Sequence, residues 1–443
     1  MSDILDWILI LFGTICALIS FHSIIENKNS SVSHFIIIVE YIICCLPVLC
    51  NYIFGYPEYI TVYWYSVFRS SMHNASVAIM YDIYILSSML LLEAYAVSYD
   101  RRHPDEMERK KLQINSLLQN KLILTLCILS PFIYIIISGN LSFFLVYGVR
   151  TARYASENSM SRIVSMLILL SIYSFFFYLF TTKKTWIKSI LTLVYIFLIS
   201  WLQGKRFILV IIGLVYLFYY TKQGLDRKQK QRLRRTIPVL VIAVLAFSYA
   251  YLVFVRPMSD TSFRSIYEML RVDFGRDDVI KYVIEKTILN HEKLVPYTGS
   301  TFLSTFLFFI PRTLWPTKPY PHYVYLTANI LNVSIMSIPA GITPSWFEMC
   351  IANFGIAGFL IGILSIPLLC RAIDRLRETL YQLIALVLVC AFLTQNIDAY
   401  TMFVLIFVMQ FVIRRIVNRR PLTIMFGKRK VLQLGNKQKE DDT

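Results

Sequence analysis

The chain has 443 residues, of which 57% are hydrophobic and only 16% are charged. Soluble proteins carry about 25% charged residues, so this composition excludes a soluble globular enzyme and a disordered scaffold and indicates a polytopic membrane protein. The formal net charge is +17, and its distribution along the chain decides whether it reflects a nucleic-acid partner or membrane topology.

Apolar runs long enough to cross a bilayer, about 20 residues each, predict the membrane-spanning helices. In chain order the clear runs are 4–25, 34–54, 76–98, 122–138, 161–180, 237–255 and 346–370. Two pairs of shorter runs flank polar breaks, 189–202 with 207–221 and 381–395 with 401–417. The pattern predicts an all-α polytopic membrane protein with about eleven spans.

Lysine and arginine are concentrated in segments 99–121 and 222–236 and in the tail from Arg414 onward. Cytoplasmic segments hold the excess of basic residues, and the predicted spans place all of these segments on one side of the membrane. The amino terminus is therefore expected outside and the carboxyl terminus in the cytoplasm. Topology explains most of the positive charge, which disfavours nucleic-acid binding by the tail.

This topology divides the chain into four parts. Residues 1–255 form transmembrane helices with short loops, 256–345 form one large external loop, 346–417 form the last spans, and 418–443 form a basic cytoplasmic tail. All eight cysteines lie in the apolar runs, without metal-ligand spacing to a histidine. They are expected to be small buried hydrophobic residues, and no metal or other cofactor is expected.

The loop 256–345 is too long for a simple connection and too rich in aromatic and aliphatic residues to be disordered. Its first part, 264–286, mixes charged and apolar residues with helical spacing, which predicts an amphipathic helix pair at the membrane surface. The run Thr301–Ile310 is too short to span and predicts an interfacial or re-entrant element. Three prolines between 311 and 319 then predict a stiff turn that presents Arg312 and Lys318 as an anion clamp.

Arginines are the main candidates for binding a phosphate or diphosphate, because the planar guanidinium engages such groups with two hydrogen bonds. In the loop these are Arg271, Arg276 and Arg312. The alternative role is internal salt bridging with the acidic residues nearby, or contact with anionic lipid headgroups.

Two further basic residues, Lys205 and Arg206, follow Gly204 at the break between two short apolar runs. A charge near membrane depth usually faces a cavity or a partner, so the break resembles the discontinuous helices that build ligand sites. The alternative is a short hairpin whose basic side chains extend to the lipid headgroups.

Glu348 and His322 are the candidates for a general base. Glu348 opens the span 346–370, where a carboxylate also stabilises the first turn of a helix, and a single histidine such as His322 is more often structural. The spans also hold Gly355, Gly358 and Gly362, whose spacing predicts close helix packing. Four acids in or beside the spans do not by themselves define a proton path: Glu40, Asp82, Glu93 and Asp398.

Several of these segments resemble the motifs of Wzy-type O-antigen and exopolysaccharide repeat-unit polymerases. The resemblance covers the topology and roughly residues 200–360. It rests on Gly299-Ser300-Thr301 leading to Ile310-Pro311-Arg312, on Leu314-Trp315-Pro316 and Lys318-Pro319, on Glu348 with Asn353-Phe354-Gly355 and Gly358, and on Gly204-Lys205-Arg206.

The resemblance implies a GT-C-like, metal-independent glycosyltransferase of the bacterial inner membrane that acts at its periplasmic face. Its substrates would be undecaprenyl-diphosphate-linked oligosaccharides, which it would polymerise into O-antigen or a related surface polysaccharide. Fixed cations would stabilise the charge that develops on the leaving diphosphate. The expected catalytic residues are Glu348, His322 and Arg312, and the expected substrate-binding residues are Lys205, Arg206, Arg271, Arg276 and Lys318.

Two other functions remain open on the sequence. An O-antigen ligase shares the architecture but transfers the glycan to lipid A core. A flippase or transporter of lipid-linked oligosaccharides belongs to a different class, and the large asymmetric loop disfavours it. The sequence leaves open which sugars are used and whether a chain-length regulator binds.

Overall fold

The computed structural model describes residues 2–27, 29–60, 62–103, 121–139, 159–181, 186–203, 227–250, 262–307, 312–338, 341–376 and 379–394, with short pieces within 213–222, at 310 and after 403. The helices before the large loop are α1 (Ser2–Glu26), α2 (Ser33–Phe54), α3 (Arg69–His73), α4 (Ala75–Arg102), α5 (Lys121–Ile137), α6 (Ser159–Thr181), α7 (Trp186–Gln203) and α8 (Arg227–Ala250). Later helices are α9 (Phe263–Phe274), α10 (Asp277–Ile284), α11 (Ser300–Phe306), α12 (His322–Leu331), α13 (Trp346–Phe354), α14 (Ile356–Asp374) and α15 (Thr379–Thr394).

Four of these helices, α1, α2, α4 and α14, are long and apolar enough to cross a membrane. Shorter apolar helices occupy 121–137, 166–178 and 381–394. The chain is thus a helical membrane protein, as its composition predicts. The total of about eleven spans stays a prediction, because 207–221 and 401–417 lie largely outside the described residues.

The centre of the bundle is formed by α1, α2, α4 and α14, which contact one another. Six of the eight cysteines are buried there or nearby, Cys50 and Cys127 are partly buried, and all eight are free thiols, which confirms them as small hydrophobic residues.

At one end of the bundle, α1, α4 and α8 meet: Lys230 forms an ion pair of 2.7 Å with Glu26, and Asn27 donates to Asp100. The basic end of α4 and the basic start of α8 therefore lie close together, next to the end of α1.

A π-helical turn at Tyr41–Cys45 interrupts α2. Such a turn releases a backbone carbonyl from the regular helical ladder. Here the carbonyl of Ile43 accepts a hydrogen bond of 3.0 Å from the backbone N–H of Arg276. The irregularity in α2 thereby fixes the start of α10 against the centre of the bundle.

The predicted surface position of the 264–286 helix pair is only half right. The first helix, α9, has a buried and an exposed face, but all eight residues of α10 are buried. α10 contacts α3, α4 and α13. The charged residues that suggested an exposed face, Asp277, Asp278 and Lys281, have partners inside the protein, so their polarity does not hold the helix at the surface.

The span expected over 346–370 is broken at Gly355, where φ is +58° and α13 ends. Beyond the break, Gly358 lies against the backbone of Cys350 and Gly362 against the hydroxyl of Tyr84, which confirms the predicted close packing of this glycine series. Gly355 itself serves the turn instead, because a left-handed φ favours glycine.

The basic tail contains the only strands in the described part of the chain. Two short strands, β1 (Thr423–Phe426) and β2 (Lys430–Gln433), pair antiparallel, with Thr423 opposite Gln433. The all-α expectation therefore holds for the bundle but not for 423–433.

Candidate functional site

A buried ion pair joins α9 to α10. Arg271 donates from Nη2 to Asp277 Oδ2 at 2.8 Å, and the two side chains are 4% and 0% exposed. The chain turns sharply at Gly275 between the two helices, which brings these residues together. Burial alone would lower the pKa of Arg271, but the carboxylates of Asp277 and Asp278 raise it, so the guanidinium is charged.

Four further residues join this ion pair in what we call the Arg271 cluster, defined as Asn51, Tyr59, Tyr267, Arg271, Asp277 and Asp278. Tyr59 donates to Asp278 Oδ2 at 2.5 Å, and Tyr267 lies one turn before Arg271 and donates to Asn51 Oδ1 at 3.4 Å. Burial and the charge of Asp277 raise the pKa of Asp278. Asn51 lies near the end of α2 and Tyr59 lies shortly after it. Both are more than two hundred residues from α9 in sequence, and no local sequence pattern predicts that they belong to the site.

Several polar atoms of the cluster have no hydrogen-bond partner among the described residues. They are Nε and Nη1 of Arg271, Nδ2 of Asn51 and Oδ1 of Asp277. A buried polar atom left unpaired costs about 1–3 kcal/mol, and more when the group is charged. Ordered water or a bound oxyanion would supply the acceptors that Arg271 and Asn51 lack. The cluster is therefore the candidate anion site of the described chain.

Arg276, also predicted to bind the diphosphate, is 6% exposed and directs its guanidinium at backbone carbonyls. Nη2 and Nε donate to the carbonyl of Thr394 at 2.9 and 3.2 Å, and Nη1 donates to the carbonyl of Gly275. This arrangement ties the start of α10 to the end of α15. The contacts match a structural role, because each guanidinium nitrogen already has an acceptor.

The proline-rich turn holds its two basic side chains by internal contacts. Arg312 donates to the carbonyls of Lys318 and Pro319, the latter at 3.1 Å, and its guanidinium lies 3.8 Å from the ring centre of Tyr320. Lys318 Nζ donates to the carbonyl of Ile310 at 2.9 Å. Arg312 is nevertheless exposed, so one face of its guanidinium is open to a ligand.

His322, the first residue of α12, is 0% exposed. Neither ring nitrogen has a hydrogen-bond partner among the residues that the structure describes. Burial lowers the pKa of His322 to about 4, so the ring is neutral at pH 7 and offers one lone pair. A neutral, unpaired imidazole suits a general base better than a charged one.

Acidification is expected to destabilise the protein through His322. The pKa of about 4 in the folded chain lies below the ~6.5 of an unfolded histidine. The unfolded chain therefore binds the extra proton first, and the stability is lost as the pH falls from about 6.5 to 4, at about 1.4 kcal/mol per pH unit. The midpoint of thermal unfolding in detergent across this range measures the loss. His322→Gln should flatten the curve, whereas His73→Gln, at an exposed histidine, should not; equal curves for wild type and His322→Gln would contradict this explanation.

Glu348, the other predicted base, is 0% exposed and lies in the first turn of α13. Its carboxylate accepts from the backbone N–H and the hydroxyl of Ser345, which completes a capping box. Glu348 therefore stabilises the first turn of its helix, which is the alternative to a general base that the sequence analysis gave for this residue. Arg276 is near enough to interact with this carboxylate, so two predicted site residues are brought together.

The two segments that carry most of the family resemblance are in direct contact. Asn353, near the end of α13, donates from Nδ2 to Thr301 Oγ1 at 2.6 Å and accepts from the backbone N–H of Thr301 at 3.2 Å. Phe354 packs on Phe302, with ring centres 5.2 Å apart. The start of α11 and the end of α13 therefore form one unit, although 52 residues separate Thr301 from Asn353.

Lys205 and Arg206 lie outside the described residues. Within the described part of the chain, no group of three or more His, Cys, Asp or Glu side chains is placed to hold a metal ion. No protein-family model, curated protein or solved structure matches the chain.

Proposed function

We propose that the chain is a polymerase of undecaprenyl-diphosphate-linked oligosaccharide repeat units, of the Wzy type. It would act at the periplasmic face of a bacterial inner membrane and build O-antigen or a related surface polysaccharide. The growing glycan is transferred from its carrier to a sugar hydroxyl of a new lipid-linked unit, and one undecaprenyl diphosphate leaves per cycle. The partners are the lipid-linked substrate and the surrounding lipids, and the proposal needs no metal.

The observation that carries the proposal is the contact between Thr301 and Asn353. The resemblance to the polymerases rests on short motifs, which occur by chance more readily than long ones. Motifs that belong to one site should lie together in the fold, and these two segments do so although they are distant in sequence. The coarser expectation, a helical membrane protein, agrees with the four apolar helices that can cross a bilayer.

The chemistry needs cations at the leaving diphosphate and a base at the acceptor hydroxyl. Arg271 supplies guanidinium donors without acceptors, and Arg312 supplies an exposed guanidinium on a rigid turn. We assign diphosphate binding to these two, together with Lys205, Arg206 and Lys318 as the sequence suggests. His322, neutral and unpaired, is the preferred base, and Glu348 and Arg276 position α13 and α10.

Deletion of the gene in the source strain separates the three functions. A polymerase mutant carries a single repeat unit on lipid A core, since ligation of one unit still occurs. A ligase mutant carries bare core, and a flippase mutant accumulates lipid-linked units that never reach the periplasm. The first pattern supports the proposal, and either of the others contradicts it.

Within the polymerase, Arg312→Ala should lower the rate of chain extension about a hundred- to a thousand-fold, the loss typical of one missing oxyanion donor. Long-chain glycan on a gel reports the effect in cells, with the membrane level of the protein measured in parallel. Arg264→Ala is the matched control, because Arg264 is an exposed arginine of the same loop that pairs with Glu58. An unchanged glycan ladder in Arg312→Ala would remove Arg312 from the site.

A further inference from the structure

Two aspartates meet at the Ser2 end of α1. Asp82 of α4 is 0% exposed and Asp6 of α1 is 3% exposed, and the two carboxyl groups are close enough to interact. Neither oxygen of Asp82 has a hydrogen-bond partner among the described residues. Tyr52 donates to Asp6 at 2.8 Å and connects the pair to the exposed end of the bundle.

A third buried acid lies deeper, on α2. Glu40 is 0% exposed, and neither carboxyl oxygen has a hydrogen-bond partner among the described residues. Ser88 of α4 is next to it. The buried thiol of Cys45 is near enough to interact with both Glu40 and Asp82, and that of Cys16 with both Glu40 and Glu93. An acid placed there without a cation is costly and usually functional.

The series continues to the other end of the same helices. Glu93 of α4 is close to Ser20 and His34. His34 contacts Ser20 Oγ through Nδ1 at 2.9 Å and Asp100 Oδ2 through Nε2 at 3.1 Å. Asp100 is 15% exposed, so the series ends at the surface.

A cavity of about 420 Å³ opens beside Glu93, towards the Asp100 end of this series. Its lining is mostly apolar, and its polar groups come from Glu93, Ser98, Arg101 and Arg102. A water molecule needs two to four polar partners, and these side chains can supply them. Water held there can bridge Glu93 to groups that no direct hydrogen bond joins.

We propose that these groups form a proton-transfer path through α1, α2 and α4, in the order Asp6, Asp82, Glu40, Glu93, His34 and Asp100. Eighteen residues of α4 separate Asp82 from Asp100, a rise of about 27 Å at 1.5 Å per residue. The hydrocarbon core of a bilayer is about 30 Å thick. The series is thus as long as the apolar layer, and an arrangement made only to stabilise the fold would not need unpartnered acids along that whole length.

Each step moves one proton and breaks no other bond. A carboxyl group or the imidazole accepts a proton on one atom and releases another proton to the next group or to a bridging water, so every group returns to its starting state. A difference in pH or voltage between the two faces drives net transfer. Lys281 of α10 is close enough to Asp82 to interact with it, and its Nζ lies 4.9 Å from the ring centre of Tyr81. The path does not depend on the glycosyl transfer proposed above.

The test uses the full-length chain in lipid vesicles that carry a potassium gradient and a pH-sensitive dye. Adding valinomycin sets a voltage, and the dye reports proton entry. Wild-type vesicles should acidify faster than empty ones. Glu40→Gln, which keeps the shape of the neutral acid but cannot exchange a proton, should lower the protein-dependent flux about tenfold or more, and Asp82→Asn should act in the same direction.

Two controls distinguish the path from damage to the fold. Glu58→Gln changes an exposed carboxylate outside the series and should leave the flux unchanged. Glu40→Asp retains an exchangeable proton and should recover a large part of the flux that Glu40→Gln loses. The proposal is overturned if wild-type vesicles acidify no faster than empty ones, or if Glu40→Gln and Asp82→Asn conduct like the wild type. Equal losses in Glu40→Asp and Glu40→Gln would overturn it as well.

Discussion

Asp277→Ala is expected to lower the free energy of unfolding by about 3–5 kcal/mol, the usual loss when one member of a buried ion pair is removed. The Arg271 guanidinium, 4% exposed, would then remain charged without its hydrogen-bonded carboxylate. Asp278 remains close by, but it already accepts from Tyr59. Unfolding by mild denaturant in detergent, followed by helical circular dichroism, gives the difference.

Removing both charges should cost less than removing one. In Arg271→Met with Asp277→Asn neither member of the ion pair is left as a buried charge without its partner, so part of the lost stability should return. Arg264→Ala removes an exposed pair with Glu58, whose side chains are about half exposed, and should change the stability by less than about 1 kcal/mol. If Asp277→Ala were as mild as Arg264→Ala, the buried pair would not be a main constraint on α9 and α10.

Gly358→Ala is expected to prevent α14 from packing on α13. A methyl group at Gly358 would overlap the backbone carbonyl and carbon of Cys350, and backbone atoms cannot move aside as a flexible side chain does. Forcing extra atoms into a packed interface costs about 1–3 kcal/mol, and more where only backbone can yield. The yield of monodisperse protein from membranes and its thermal midpoint should both fall.

Gly213→Ala is the matched control for this substitution. Gly213 is also helical, yet an added methyl group there meets no atom of the described residues within 4 Å. Alanine favours a helix over glycine by about 1 kcal/mol, so this variant should be neutral or slightly more stable. A Gly358→Ala protein that behaves like Gly213→Ala would show that α13 and α14 can separate without loss of the fold.

Part of the candidate site was visible in the sequence. The sequence predicts Arg271 and His322 as site residues of the long loop and Glu348 as a site residue at the start of the following span, and the structure shows all three buried. The sequence does not predict which residues these three side chains contact. Tyr59 and Asn51 join the Arg271 cluster from a segment far away in sequence. The hydroxyl of Ser345 donates to the carboxylate of Glu348.

The position of α10 shows most clearly what hydrophobic periodicity in the sequence cannot predict. Its mixture of charged and apolar residues has the period of a surface helix, and hydrophobic periodicity describes only the average polarity of each face. Ion pairs and hydrogen bonds from other segments, such as Arg271 with Asp277 and Tyr59 with Asp278, make burial of that polar face possible.

A helical membrane protein is predictable from the composition and the apolar runs alone, and most of these runs agree with the helices to within a few residues. The exceptions are α8, which begins at Arg227, ten residues before the predicted run 237–255, and the run 346–370, which is broken at Gly355. Burial of most cysteines and close packing of Gly358 and Gly362 are likewise predictable, because transfer of a segment into an apolar environment depends on the segment alone. The contacts between charged groups depend on the fold instead, in the Arg271 cluster and in the series of acids across α1, α2 and α4. Electrostatic partnership acts over a few ångströms in space, so it depends on chain segments that the fold brings together.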